Sequence, residues 1–208
     1  EQIGAPPDDV EEVTFDATMS ADQLGMELAA EIPDGHDYDA VFCTLPPKNT
    51  GYFDTAEPER VYDEVKAVDS SLVVSWAPSP YPFGYNEYLQ DWPAWINRGF
   101  TDLVHPQVYR RSVSEYESFL ATQRANEAGW EADKVLGFYP GVLMKVGDYR
   151  MTPEELRDVI LTNRQRGIAG EVFFFYEGLR ENDGALADVL KSCYREPADL
   201  PFDPAHAP

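Results

Sequence analysis

"SLVVSWAPSPYPFGYNEYLQDWPAWINRGFTDLVHPQVY" occupies residues 71–109 and holds three of the four tryptophans of the chain. Its first seven residues, "SLVVSWA", are rich in β-branched and aromatic side chains and read as a strand. A loop dense in proline and aromatic residues follows, then a helix near Leu89–Arg98, then a second strand, "TDLVHPQVY", over 101–109. A strand, a crossover helix and another strand make one βαβ unit, and such units pair their strands in parallel.

The same alternation extends outward in both directions. Upstream, "EVTFDA" (12–17) reads as a strand, and Ser20 with Gln23 forms a capping-box pair ahead of Leu24, Leu28 and Ile32. "YDAVFCTL" (38–45) is the next strand, and a helix from about Glu57 to Val68 turns Val61, Val65 and Val68 inward. Downstream come a helix with Tyr116, Phe119 and Leu120, a strand at 134–142, and the helix start Thr152-Pro153-Glu154-Glu155. The apolar strand "GEVFFFYEG" (170–178) and a helix using Leu186, Val189, Leu190 and Cys193 close the series. Six βα units in strict alternation define an α/β chain with a parallel sheet. They suit either an open doubly wound sheet or most of a (β/α)8 barrel. No glycine-rich phosphate loop follows any strand, which counts against a nucleotide-binding fold. Polar and aromatic residues gather instead at strand ends, as they do in barrels. Residues 1–196 are expected to form the domain, and 197–208 a proline-rich tail.

Thirty-eight acidic residues against 16 basic ones give a formal charge of −22. Such a surface repels nucleic acid and anionic membranes. Dense carboxylate with scarce lysine also resembles proteins adapted to concentrated salt, the alternative being an ordinary acidic protein. No apolar run reaches the roughly 20 residues of a membrane span. Two cysteines and three histidines do not match a zinc spacing, so neither metal nor cofactor is expected.

The words "SWAPSPYPFGYNEYLQDWPAWINRGF", "HPQVYRR" and "GEVFFFYEGLRE" resemble the glycosyl-hydrolase-like family 10 proteins (the DUF187 type) over about residues 57–182. The resemblance implies part of a TIM-like barrel, a glycoside hydrolase often exported from the cell, and a carbohydrate ligand. It numbers 71–77, 101–109, 134–142 and 170–178 as strands five to eight, makes 38–45 strand four and 12–17 strand three, and puts strands one and two upstream of Glu1. A fragment or an N-terminally reduced barrel is therefore expected, its open edge covered by those strands or by a second copy. One departure stands out. Family members carry adjacent aspartates at the end of strand four, whereas Asp39–Leu45 ends without a carboxylate. Aligning "VTFDAT" on that motif keeps Asp16 as one of the pair but leaves 38–45 as an inserted strand.

Glycoside hydrolysis needs two carboxyl groups about the scissile bond, one a proton donor and the other a base or nucleophile. Glu177, at the end of an apolar strand where shielding would raise its pKa, is the first candidate, and Asp16 the second. Pairing with Arg180 and helix capping are their respective structural alternatives. Trp76, Tyr81, Tyr85, Tyr109, Tyr139 and Tyr176 are candidate stacking platforms for sugar rings, with Asn86 and Gln107 as hydrogen-bonding partners; packing beneath loops is the alternative for each. Trp92 and Trp95, three apart on one helix, are expected in the core, and His105 is expected as a buried histidine. A non-catalytic saccharide-binding relic is the alternative to the enzyme.

Overall fold

The computed structural model describes residues 40–43 and 56–196. The expected strand at 12–17 with Asp16, the helix after Ser20 and the tail from 197 lie outside those residues. In chain order the elements are β1 (Ala40–Cys43), α1 (Ala56–Val68), β2 (Val73–Trp76), α2 (Phe83–Tyr88), α3 (Trp92–Arg98), β3 (Leu103–Val104), α4 (Val113–Thr122) and α5 (Ala125–Ala128). They continue with β4 (Gly137–Phe138), β5 (Gly141–Leu143), β6 (Lys145–Val146), β7 (Tyr149–Arg150), α6 (Pro153–Gln165), β8 (Val172–Phe174), α7 (Glu177–Arg180) and α8 (Ala185–Cys193).

β1, β2, β3 and β4 lie side by side and parallel, in the registers Cys43↔Trp76, Trp76↔Val104 and Val104↔Phe138. β5 pairs in parallel with β8, Gly141 opposite Val172 and Leu143 opposite Phe174. β4 and β5 are two halves of one bent run. Tyr139 N–H donates to Val104 O at 3.0 Å and Gly141 N–H to Pro106 O at 2.8 Å on one side, while Val172 N–H donates to Pro140 O at 3.2 Å on the other. Apart from the antiparallel β6–β7 hairpin, each strand is therefore added beside the preceding one in the sheet, in chain order and without reversal.

The strand side chains alternate between two faces. Val74, Trp76, Val104, Phe138, Val142 and Met144 join one core with Val65 of α1, Trp92, Trp95 and Ile96 of α3, and Tyr116 and Leu120 of α4. Leu156, Val159 and Ile160 of α6 and Leu186 and Val189 of α8 complete that core. Val73, Leu103 and Leu143 are buried but stand outside it, on the opposite face. Among the described residues the helices thus cover one face of the sheet. A doubly wound sheet carries them on both and reverses its strand order.

Local chemistry explains most element ends. Thr152 and Glu155 form a reciprocal capping box: Thr152 Oγ1 accepts from Glu155 N–H at 3.2 Å, and Glu155 Oε2 accepts from Thr152 N–H at 2.9 Å. Ser112 caps α4 by accepting from Glu115 N–H at 3.3 Å. The helix expected near Leu89–Arg98 is α3, and a further short helix, α2, lies in the stretch read as a loop; Leu89 adopts a left-handed φ of 60° that stops α2 before Pro93 helps start α3. The strand expected over 101–109 is only Leu103–Val104. Pro106 has no N–H to give, and beyond it the chain folds on itself through Val108 N–H to Pro106 O and Tyr109 N–H to Gln107 O, each 2.8 Å. The strand expected over 170–178 ends at Phe174, and α7 begins at Glu177. The β6–β7 hairpin was not foreseen, although Gly147-Asp148 between Val146 and Tyr149 is a two-residue hairpin signal.

At the end of the sheet where the strands begin, a polar clamp joins α1, β2 and β3. Asp102, 6% exposed, accepts from Val74 N–H at 2.7 Å and Tyr62 OH at 3.0 Å and pairs with Lys66 Nζ at 2.9 Å.

Candidate functional site at the strand ends

The carboxyl ends of β2, β3, β4/β5 and β8 open on one edge, where the connecting loops carry most of the singled-out residues. His105 follows β3 and donates its N–H to Trp76 O at 2.7 Å. Its ring lies 5.9 Å from that of Tyr139, nearly parallel, with Nδ1 3.1 Å from Tyr139 O. A carbonyl only accepts, so Nδ1 carries the hydrogen. Burial holds the imidazole below its ordinary pKa, which favours the neutral ring. The buried histidine expected from the sequence is found here.

Tyr139 folds back over Gly137: a Cβ added there would come within 2.2 Å of Cε2 of the ring. Burial raises the pKa of its phenol. Tyr109 stacks on Phe174 with ring centroids 5.0 Å apart, and burial pushes its phenol up to about 12. Gly141 makes room for that ring, since a Cβ added there would lie 2.9 Å from Cε1 of Tyr109. Phe174 in turn sits 5.0 Å from Phe175, whose face is approached by Lys145 Nζ at 5.6 Å. Phe174 is 41% and Tyr176 69% exposed, so an aromatic surface remains open between the ends of β3 and β8. Gln107 is engaged internally, donating Nε2–H to Ala77 O at 2.8 Å and N–H to Pro78 O at 3.0 Å. It stitches two strand ends together.

A second group lies on the loop after β2. Tyr85 and Asn86 are exposed, and Tyr81 is half-buried between Tyr85, at 6.3 Å, and Trp92, at 6.4 Å. Trp76 requires correction as a stacking platform. Strand alternation turns it to the helix side, where it is 1% exposed, lies 5.4 Å from Trp95 and donates Nε1–H to Phe100 O at 3.0 Å. Trp92 and Trp95 are core residues, each 0% exposed.

Glu177 opens α7 and its side chain is exposed, because β8 ends three residues earlier; the apolar shielding expected of it is not present. Neither Glu177 nor Arg180 makes an ion pair among the described residues. The turn is nonetheless anchored. Gly178 packs on the end of β5, where a Cβ added to it would lie 2.8 Å from Met144 Cβ. Glu181 pairs with Lys145 Nζ at 2.6 Å and with Arg150 Nε, tying the turn to the β6–β7 hairpin. Hydrogen bonding from Lys145, reinforced by Arg150, holds the Glu181 carboxyl below its ordinary range. The sequence reading missed this cluster and Phe174; pairing across 36 residues from Lys145 to Glu181 leaves no local signal. Asp16 lies outside the described residues. Among the described residues no group of three His, Cys, Asp or Glu side chains is placed to hold a metal ion. Nor is any helix long and apolar enough to cross a membrane.

The architecture is that of a parallel α/β protein wound in one direction, with its polar and aromatic residues at the strand ends. Residues 58–153 match the family model described as Glycosyl hydrolase-like 10, the family whose sequence words this chain resembles. Two solved structures of bee venom hyaluronidase are similar to it. One, a monoclinic crystal form, has 14% identity and a TM-score of 0.41 over 67% of this chain and 52% of that one. The other, in complex with a hyaluronic acid tetramer, has 15% identity and a TM-score of 0.40 over 84% and 59%. This chain therefore spans between 52% and 59% of those chains. No curated protein matches it.

Proposed function

We propose that the chain is the larger part of a (β/α) barrel that acts on O-glycosidic bonds of a polysaccharide or glycan. The observation that carries this reading is Glu177, exposed three residues past the end of β8 and without an ion pair among the described residues, close in sequence to the exposed rings of Phe174 and Tyr176. The family match at 58–153 supports a glycoside-hydrolase class for the chemistry. In this reading Glu177 delivers a proton to the leaving oxygen or acts as the base, and Asp16 or a residue upstream of Glu1 supplies the second carboxyl group. Tyr85, Tyr109, Tyr139 and Tyr176 offer ring faces and edges to pyranose units. Asn86 donates to hydroxyls, while Gln107 and Tyr81 support from below. The one-directional strand order agrees with a barrel. Val172 is 41% exposed on β8, and upstream strands or a second copy would cover it.

A second reading, a saccharide-binding relic without turnover, is favoured by one observation. Glu181, the nearest carboxylate in sequence to Glu177, is engaged by Lys145 and Arg150 and offers no free partner for acid–base chemistry.

A panel of soluble oligosaccharides, scored for binding and for released reducing ends in concentrated salt, separates these readings. Release that falls by about 10²-fold or more in Glu177→Gln while binding persists supports the hydrolase. Binding without release in either protein supports the relic. Full release by the variant removes Glu177 from the chemistry.

A further inference from the structure

The loop between β2 and α3 is held from beneath by two buried amides. Gln123, the residue that ends α4, is 0% exposed. Its Oε1 accepts from Tyr81 N–H at 2.7 Å, and its Nε2 donates to Tyr81 O at 2.7 Å. The amide is itself fixed, because Nε2 also reaches Thr122 Oγ1 at 2.8 Å and the Gln123 carbonyl accepts from Trp130 Nε1 at 3.0 Å. Gln90, 5% exposed, accepts from Ser79 N–H at 2.7 Å and donates its own N–H to Gly84 O at 3.1 Å. Gly84 is pressed against this turn, since a Cβ added to it would lie 2.6 Å from Ser79 O. Every one of these bonds is made within the chain itself. Above them stand Phe83, 50% exposed, Tyr85, 45% exposed, and the exposed amide of Asn86.

Ring faces beside an amide, fixed in advance by buried hydrogen bonds, lower the ordering cost of binding a flexible chain. Residues 78–91 contain no Lys or Arg, in a chain whose formal charge is −22. Such a surface disfavours uronate or sulfated sugars and suits uncharged ones. We propose that Gln123 is a positioning residue, acting through the Tyr81 backbone to preform the 78–91 loop as a platform on which Tyr85 and Asn86 take a neutral sugar ring. The inference rests on the saccharide reading above and names the sugar class and the residue that sets the geometry.

The test uses the chain as it exists, with cellohexaose, xylohexaose, chitohexaose and a hyaluronan hexamer as probes. Affinity is measured by calorimetry well below the melting temperature of each protein. Gln123→Glu keeps the acceptor for Tyr81 N–H but donates to Tyr81 O only while protonated, and burial raises the pKa of that carboxyl group. The expected result is wild-type affinity for a neutral hexamer at about pH 5 and about tenfold weaker binding at about pH 8, with wild-type affinity flat between them. Tyr85→Ala is expected to weaken binding about tenfold at both values without lowering the melting temperature.

If Gln123 served the core alone, Gln123→Glu would melt earlier at high pH while the folded chain kept its affinity, and that result overturns the inference. Binding lost in Tyr109→Ala but kept in Tyr85→Ala and Gln123→Glu overturns the platform and leaves the saccharide reading standing. Tighter binding of the hyaluronan hexamer than of every neutral probe overturns the sugar class. No binding of any probe by the wild type overturns both readings.

Discussion

Trp76 and Tyr176 show how one residue type acquires opposite roles at one sheet edge. Both are aromatic residues near strand ends, and the sequence offers both as platforms for sugar. Trp76 ends β2 on the helix-covered face and is 1% exposed, whereas Tyr176 lies past the end of β8 and is 69% exposed. Residue parity along a strand decides the face, and a shift of one position reverses it. The expected outcome for Trp76→Ala is a stability loss of about 3–5 kcal/mol, read from denaturant unfolding, as for other fully buried large rings. The folded fraction of that variant should keep its saccharide affinity. A loss of affinity without loss of stability would return Trp76 to the site. The carboxylates show the same logic. Glu177 and Glu181 are four residues apart, yet among the described residues one makes no ion pair while the other neutralises two cations of the hairpin.

At the scale of elements, long-range pairs hold together segments that the chain brings in at different times. Glu171 precedes β8, and its Oε1 accepts from Tyr194 OH, just past α8, at 2.5 Å. Tyr194 also lies under Arg164 of α6, 5.0 Å from ring to guanidinium, and Arg164 donates to Cys193 O at 2.8 Å. Burial raises the Glu171 carboxyl above its ordinary range in spite of the Tyr194 hydrogen bond, which acts the other way. The folded state therefore holds its proton more tightly than the unfolded chain does. The contribution to stability grows as pH falls from above the raised folded value toward the ordinary carboxylate value, and it is lost as pH rises through the folded value. Glu171→Gln should be more stable than wild type near neutrality and show a flatter stability curve across that mildly acidic window. Identical pH slopes in urea titrations of the two proteins would remove this role.

For the whole molecule the dominant quantity is a formal charge of −22 on 208 residues. Self-repulsion of that size opposes compaction, and salt weakens it as the screening length falls from about 30 Å at 0.01 M to about 3 Å at 1 M. Melting temperature should climb with added KCl, by about 2–4 °C for each kcal/mol of repulsion removed in a domain of this size. A melting temperature that is flat in KCl would favour the ordinary acidic protein over salt adaptation.

Much of the architecture was legible in the residues themselves. β-branched and aromatic runs at 71–77 and 170–178, the Thr152–Glu155 cap and the valine and leucine stripes marked strands and helices. These signals are local, carried by neighbours within one turn or one pleat. The capping box formed as expected, and a histidine beside proline in an apolar strand was buried. What the local pattern left open was settled by contacts between distant segments. One-sided helix packing separates a singly wound sheet from a doubly wound one, yet both have the same alternation of elements. The bend at Pro140 lets one run pair with β3 on one side and β8 on the other, a choice made by partners far along the chain. Likewise Gln123 shows no motif, and only the fold brings its amide to Tyr81, 42 residues away. The sequence by itself determined which segments are strand and helix, because propensity and periodicity act within a few residues. Tertiary structure alone decided which side chains face the core, which carboxylate pairs with the hairpin and which amide holds the loop, because those outcomes depend on neighbours that only the folded chain supplies.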